Sequence, residues 1–177
     1  MTSFADLNAL SAEQLTNLQE LGYLNMTQIQ AAALPPILAG KDVRAQAKTG
    51  SGKTAAFGLG LLQHIDAKLF KTQSLVLCPT RELADQVANE LRRLARAIPN
   101  IKILTLCGGM PFSVQRDSLA HAAHIIVATP GRLLDHLNRE TVQLDALQTL
   151  VLDEADRMLD MGFMPDIETI LDYAPIN

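Results

Sequence analysis

The sequence predicts an α/β domain of three layers, with a mainly parallel central sheet flanked by helices, and three observations lead there. From Val43 onward, short apolar runs alternate with longer helical stretches, the pattern of strand, helix, strand. The runs are apolar at successive positions, as strands covered on both faces are. The residues least suited to packing fall in loops that follow those runs, at the sheet edge where folds of this kind bind ligands. No internal repeat and no linker rich in glycine, proline or serine divides the chain.

Composition sets the bounds. The 177 residues, 48% of them apolar, suffice for about one domain. A folded chain of this length buries roughly 70% of its unfolded surface. A charged fraction of 19% and a net charge of -4 argue against disorder and against a carpet of positive charge for nucleic acid. Any such binding must use local groups. Cys78 and Cys107 lie in apolar runs and read as reduced core residues. No signal peptide is visible in Met1 to Leu10, and no stretch approaches about 18 apolar residues, so the expected location is cytoplasmic, without a membrane partner.

The elements follow in order. Ser11 with Gln14 makes a capping box for a short helix that stops before Gly22. A second helical stretch starts near Thr27 and is interrupted at Pro35-Pro36. Residues 1–40 are thus amino-terminal helices, and 41–177 the α/β unit. Its strands are expected at Val43 to Gln46, Ser74 to Cys78, Ile103 to Cys107, His124 to Ala128 and Thr149 to Asp153. Helices are expected at Lys53 to Leu69, Arg81 to Ala97, Phe112 to Ala120, Gly131 to Arg139 and, after a Met161-Gly162-Phe163 turn, Pro165 to Tyr173.

Two loops suggest nucleotide chemistry. Gly50-Ser51-Gly52-Lys53-Thr54 lies between a strand and a helix, so its backbone N–H groups can wrap a phosphate chain that the helix dipole also favours. Lys53 would reach the β and γ phosphates, and the Thr54 hydroxyl would ligate Mg²⁺. The strict P-loop pattern has glycine where this chain has Ala47, and read alone the loop is also a glycine turn with an exposed lysine. Downstream, Leu150-Val151-Leu152 delivers Asp153 at a strand end, from which a carboxylate holds Mg²⁺ through its water shell. Glu154 is placed to orient an attacking water; an acidic turn capping the next helix is the alternative. Hydrolysis of a nucleoside triphosphate is the expected chemistry. Gln30 offers the donor and acceptor that adenine requires, and Tyr23 a stacking face, although such residues also simply solvate a helix or pack.

Together these motifs resemble the first RecA-like domain of the DEAD-box RNA helicases. Asp153-Glu154-Ala155-Asp156 is the family's acidic motif, and Ala47-Lys48-Thr49-Gly50-Ser51-Gly52-Lys53-Thr54 is its own version of the P-loop. Gly22 to Gln30 resembles its adenine-recognition motif, with Phe4 as the isolated upstream aromatic. Pro79-Thr80-Arg81-Glu82-Leu83, Gly108-Gly109 and Thr129-Pro130-Gly131-Arg132 resemble its RNA-backbone motifs, in order. The resemblance implies ATP and Mg²⁺ as cofactors, with Lys53, Asp153 and Glu154 catalytic and Thr54 and Asp153 serving the metal. It implies RNA as substrate, and the detailed wording is nearest a bacterial type acting on large-subunit ribosomal RNA in ribosome assembly.

Met26 and Gln28 depart from the family, which commonly has proline there. The family's Ser-Ala-Thr motif, expected after Asp156, and a second RecA-like domain with its arginine fingers do not occur in these residues. The expectation is a truncated motor that binds ATP and RNA but turns over very slowly alone. Another P-loop ATPase or a DNA helicase is disfavoured by Tyr23 with Gln30 and by the phosphate-binding loops.

Those loops explain how an acidic chain could hold RNA. Thr80 and Thr129 can each cap a helix, exposing free N–H groups and a positive dipole end, with Arg81 or Arg132 adding charge. Such contacts take phosphates without reading bases. No aromatic residues interleave with basic ones, so base stacking is not expected. His64, His121, His124 and His136, and Met158, Met161 and Met164, read as surface or packing residues.

Overall fold

The computed structural model describes residues 53–174. The expected helices after Ser11 and Thr27 and the strand at Val43 to Gln46 lie outside the described residues. The described elements run α1 (Lys53–Gln63), β1 (Ser74–Leu77), α2 (Arg81–Leu94), a 3₁₀ turn (Ala95–Ala97), β2 (Ile103–Leu106), α3 (Phe112–Ser118), β3 (Ile125–Ala128), α4 (Pro130–Asn138), β4 (Thr149–Leu152), α5 (Ala155–Asp160) and α6 (Met164–Asp172). The chain groups into two compact units, and Ala67–Ala88 with Ile101–Asn177 holds all four strands.

Those strands form one parallel sheet flanked by helices, in the order β2-β3-β1-β4. Leu75 pairs with Ile126 and with Leu150, and Leu104 pairs with Ile126. This register puts Leu75, Leu77, Leu106, Ile126 and Ala128 on one face, because side chains alternate along a strand. They pack with Leu133 and Leu137 of α4, Met158 of α5 and Ile167 and Ile170 of α6. Val76, Ile125 and Val127, on the other face, are equally buried. Central strands enclosed on both faces are apolar at nearly every position, which is why β1 after Ser74 and all of β3 read as unbroken apolar runs. Burial falls away in β4, which ends this row of strands.

Every expected strand and helix within the described residues forms, and α1 differs in length. It stops at Gln63 rather than Leu69. In the segment between α1 and β1, side chains hold two carbonyls: the Ala67 oxygen accepts from His124 Nε2 at 3.0 Å and the Leu69 oxygen from Gln73 Nε2 at 2.9 Å. His124 Nδ1 accepts from the Lys102 N–H at 3.0 Å, so this buried histidine is a structural tie. Met158, expected as packing, is fully buried, whereas Met161 is largely exposed. Gly162 makes the expected turn with φ +80°, a conformation costly for residues bearing a Cβ. A short helix, α5, stands before that turn.

The amphipathic helix α2 starts where the sequence suggested. Thr80 Oγ1 accepts from the Leu83 N–H at 3.3 Å, satisfying one of the helix's free donors. Glu82 in its first turn and Arg92 and Arg93 in its last complement the macrodipole.

Candidate functional site

Parallel pairing turns the carboxyl ends of all four strands to one edge of the sheet. In spatial order the loops there begin at Cys107, Thr129, Cys78 and Asp153. The three expected RNA loops therefore leave neighbouring strands, with the acidic loop next in the row. Strand order, rather than sequence order, creates this grouping.

Contacts tie these loops to one another. Gly108 donates its N–H to Thr129 Oγ1 at 3.3 Å. The Thr129 hydroxyl is therefore not a cap for α4, contrary to expectation, although its backbone takes the N-cap position and Pro130 the first helical turn. The loop after β2 competes for that hydroxyl and holds it. Gly109 has φ +86°, so only glycine sits there without strain. A Cβ built on Gly109 would stand 3.8 Å from Arg81 Nη1, which brings the Arg81 guanidinium to the same loop. Arg81 is exposed and lies 3.9 Å from Asp85, a loose pair that leaves the guanidinium open to solvent. Pro79 is buried.

Arg132 is used differently. Its Nη1 donates to the Met110 carbonyl at 2.6 Å and to Gln115 Oε1 at 3.1 Å, and its Nε lies 3.7 Å from Asp135. Most of its side chain is covered, so it braces the loop from beneath. Gly131 is exposed, with open space where a Cβ would stand.

The site also contains groups that sequence reasoning missed. Gln115 and His136 are buried in the same network, with His136 Nε2 2.8 Å from Gln115 Oε1. The His136 ring stacks on Phe112 at 4.3 Å between centroids, and Arg139 covers the Phe112 ring at 4.3 Å. Burial pushes the His136 imidazole down to about 4, and the Arg132 charge adds to the fall. Nothing at helical spacing marks Gln115 as buried, since glutamine on a helix is ordinarily solvated. Burial pushes the Cys107 thiol up to about 11, with Asp85 raising it further, so this cysteine is protonated and inert, as its apolar run suggested. Cys78 and Cys107 are both free.

At the β4 end, Asp153 is buried, 3% exposed, and its N–H donates to the Leu77 carbonyl at 2.9 Å. Glu154 follows in the left-handed region, φ 55° and ψ 53°, a conformation uncommon for residues other than glycine. It takes the N-cap position of α5 without a side-chain cap, and its Oε2 lies 3.5 Å from Arg157 Nη1. Lys53 opens α1 and Thr54, half-buried, follows it. Phe4, Tyr23, Gln30, Ala47, Lys48, Thr49, Gly50, Ser51 and Gly52 lie outside the described residues.

This sheet edge and its motifs define a member of the DEAD/DEAH box helicase family: the family's model matches residues 27–176, and the chain belongs to it. Among individual proteins, the chain is 77% identical to the ATP-dependent RNA helicase DbpA of Escherichia coli (strain K12), covering 100% of this chain and 39% of that protein. It is 50% identical to the ATP-dependent RNA helicase DeaD of the same organism, over 98% of this chain and 28% of that protein. The structure of a DEAD box protein from Methanococcus jannaschii matches with a TM-score of 0.91 and 40% identity, over 98% of this chain and 47% of that chain. The chain thus spans less than half the length of each of these proteins.

Proposed function

We propose that this chain is the amino-terminal motor domain of an ATP-dependent RNA helicase, binding ATP with Mg²⁺ and the sugar-phosphate backbone of RNA. In the longer protein, a second RecA-like domain completes RNA-stimulated hydrolysis and local duplex unwinding. The observation that carries the reading is the row of strand ends, which sets Gly108, Thr129 and Thr80 on neighbouring strands beside buried Asp153.

Within this reading, residues 1–40 supply the adenine contacts through Phe4, Tyr23 and Gln30, and residues 41–177 the phosphate, metal and RNA contacts. The loop from Ala47 to Thr54 wraps the phosphates, with Lys53 supplying charge. Thr54 and Asp153 suit Mg²⁺ as hard oxygen donors, Asp153 acting through water. Among the described residues no group of three or more His, Cys, Asp or Glu could cage a metal; Mg²⁺ suits such sparse protein donors because it retains water and phosphate oxygens. When bound, it neutralises charge on the transferring phosphoryl group. Glu154 orients the attacking water. Thr80, Arg81, Gly108, Gly109, Thr129, Pro130 and Gly131 line the RNA backbone, Gly109 and Gly131 offering N–H groups, the helix starts after Thr80 and Thr129 their dipole ends and Arg81 its charge, and Arg132 sets the loop after β2.

We assign large-subunit ribosomal RNA, in ribosome assembly in the cytoplasm, on the wording of the motifs. No described helix is long and apolar enough to cross a membrane.

A second reading concerns the 177 residues assayed by themselves: they bind ATP and RNA without significant turnover. The commitment of Arg132 to Met110 and Gln115 favours it, because this arginine is then no ready arginine finger. Multiple-turnover phosphate release with and without RNA, on this chain and on a longer protein carrying the second domain, tests both readings. Release stimulated by RNA only in the longer protein is expected. A longer protein indifferent to RNA would overturn the first reading, and rapid release by this chain alone the second.

A further inference from the structure

The loop after β2, Gly108 to Met110, is exposed along its whole length, yet it rests on a buried polar network. At its start, Gln115 Nε2 donates to the Cys107 carbonyl at 3.1 Å. The Gln115 Oε1 atom accepts twice, from Arg132 Nη1 at 3.1 Å and from His136 Nε2 at 2.8 Å. Arg132 Nη1 also donates to the Met110 carbonyl, at the other end of the loop. One amide, 6% exposed, thus joins the end of β2 to the helix that follows β3.

Of the side chains of this length, only an uncharged amide supplies both a donor for a carbonyl and an acceptor with two lone pairs. Methionine would fill the same space and leave the Cys107 carbonyl, Arg132 and His136 without this partner. Glutamate would aim a carboxylate oxygen at the carbonyl. A buried network of this kind contributes little net stability compared with an apolar core, but it imposes one geometry. The geometry it imposes is that of an exposed loop with no share in the core.

We infer that Gln115 is a positioning residue for RNA binding: by clamping the end of β2 to Arg132 and His136, it holds the Gly108-Gly109 loop and the Thr129-Pro130-Gly131 helix start at phosphate-binding spacing. The inference rests on the reading of those two segments as RNA-backbone sites.

The test is equilibrium binding of a fluorescent oligouridine of about ten nucleotides to the 177-residue chain, a length within single-strand site sizes, alongside the Gly108 and Gly109 amide resonances and thermal midpoints. Gln115→Met is expected to weaken RNA binding about tenfold and to shift both glycine resonances; its thermal midpoint falls by several degrees because buried partners are orphaned, so binding is read well below the midpoint, where the chain is folded. Gln115→Glu, which keeps acceptors for Arg132 and His136, should recover part of that loss, a graded response that general destabilisation would not give. If Gln115→Met does not fold, Gln115→Glu decides, because weakened RNA binding with shifted Gly108 and Gly109 resonances, read well below its midpoint where the chain is folded, is then the expected result. RNA affinity within about twofold of the unsubstituted chain in the folded variants overturns the positioning role and leaves the RNA reading intact. An unsubstituted chain that binds no RNA overturns the RNA reading, and this inference with it.

Discussion

His136 Nε2 lies 2.8 Å from Gln115 Oε1, and His136 Nδ1 lies 2.7 Å from Thr141 Oγ1. The amide oxygen can only accept, so Nε2 carries the proton, and Nδ1 is free to accept from the threonine hydroxyl. The neutral ring is satisfied at Nε2, while the one Thr141 hydroxyl proton is shared between Nδ1 and the His136 carbonyl, 3.1 Å from Oγ1. Protonation would add a charge beside Arg132 in a buried site, which is why burial first and Arg132 second depress the imidazole to about 4.

Stability should consequently fall with acid in a defined window. Between the ordinary value of 6.5 and about 4, the unfolded chain holds a proton on His136 that the folded chain does not. The contribution is therefore complete above 6.5 and is lost as pH drops toward 4, by up to about 1.4 kcal/mol per pH unit. Urea unfolding of the chain and of His136→Gln across this window measures the difference. Parallel pH profiles would remove His136 as the cause.

Two threonines that look alike in sequence should behave differently. Thr80→Ala removes a true cap and should cost about 1 kcal/mol in denaturant unfolding. Thr129→Val removes the acceptor of the Gly108 N–H and no cap, so its main effect should be a shifted Gly108 amide resonance and weaker RNA binding. A Thr129→Val chain with wild-type loop resonances would show that the hydroxyl does not hold the loop.

Gly131 lies in the first turn of a helix with open space around its missing Cβ, so the fold has no use for glycine there. Gly131→Ala should stabilise the chain by about 0.5 to 1 kcal/mol. It should also weaken RNA binding, if phosphate approaches this helix start closely. Increased stability with unchanged RNA affinity would exclude a close approach.

In the longer protein, Glu154→Gln should retain ATP binding while hydrolysis falls by about 10² or more, the scale of a lost general base. Single-turnover kinetics separate binding from chemistry. Hydrolysis at the unsubstituted rate would take Glu154 out of the mechanism.

Adenine preference should depend on Gln30. Losing a two-point base contact should cost about 1 to 3 kcal/mol of discrimination, read as the ratio of ATP to GTP affinity in equilibrium titrations. A ratio unchanged in Gln30→Ala would assign the preference elsewhere.

Much of this protein is determined by local sequence. Strand positions follow from apolar runs such as Ser74–Leu77 and Ile125–Ala128, and helix starts from residues such as Thr80, because burial on both faces and capping act over a few residues. The motifs that mark the family are equally local, since a backbone that wraps phosphate needs its glycines at fixed spacing. Tertiary structure decided which loops meet. The order β2-β3-β1-β4 sets Gly108 against Thr129, 21 residues away, and takes from Thr129 the capping role its sequence suggested. It also decided that Arg132 braces a loop and that Gln115 and His136 are buried. Each outcome is a competition for hydrogen-bond partners between distant segments, and burial of those partners, rather than residue type or spacing, determines which bond forms.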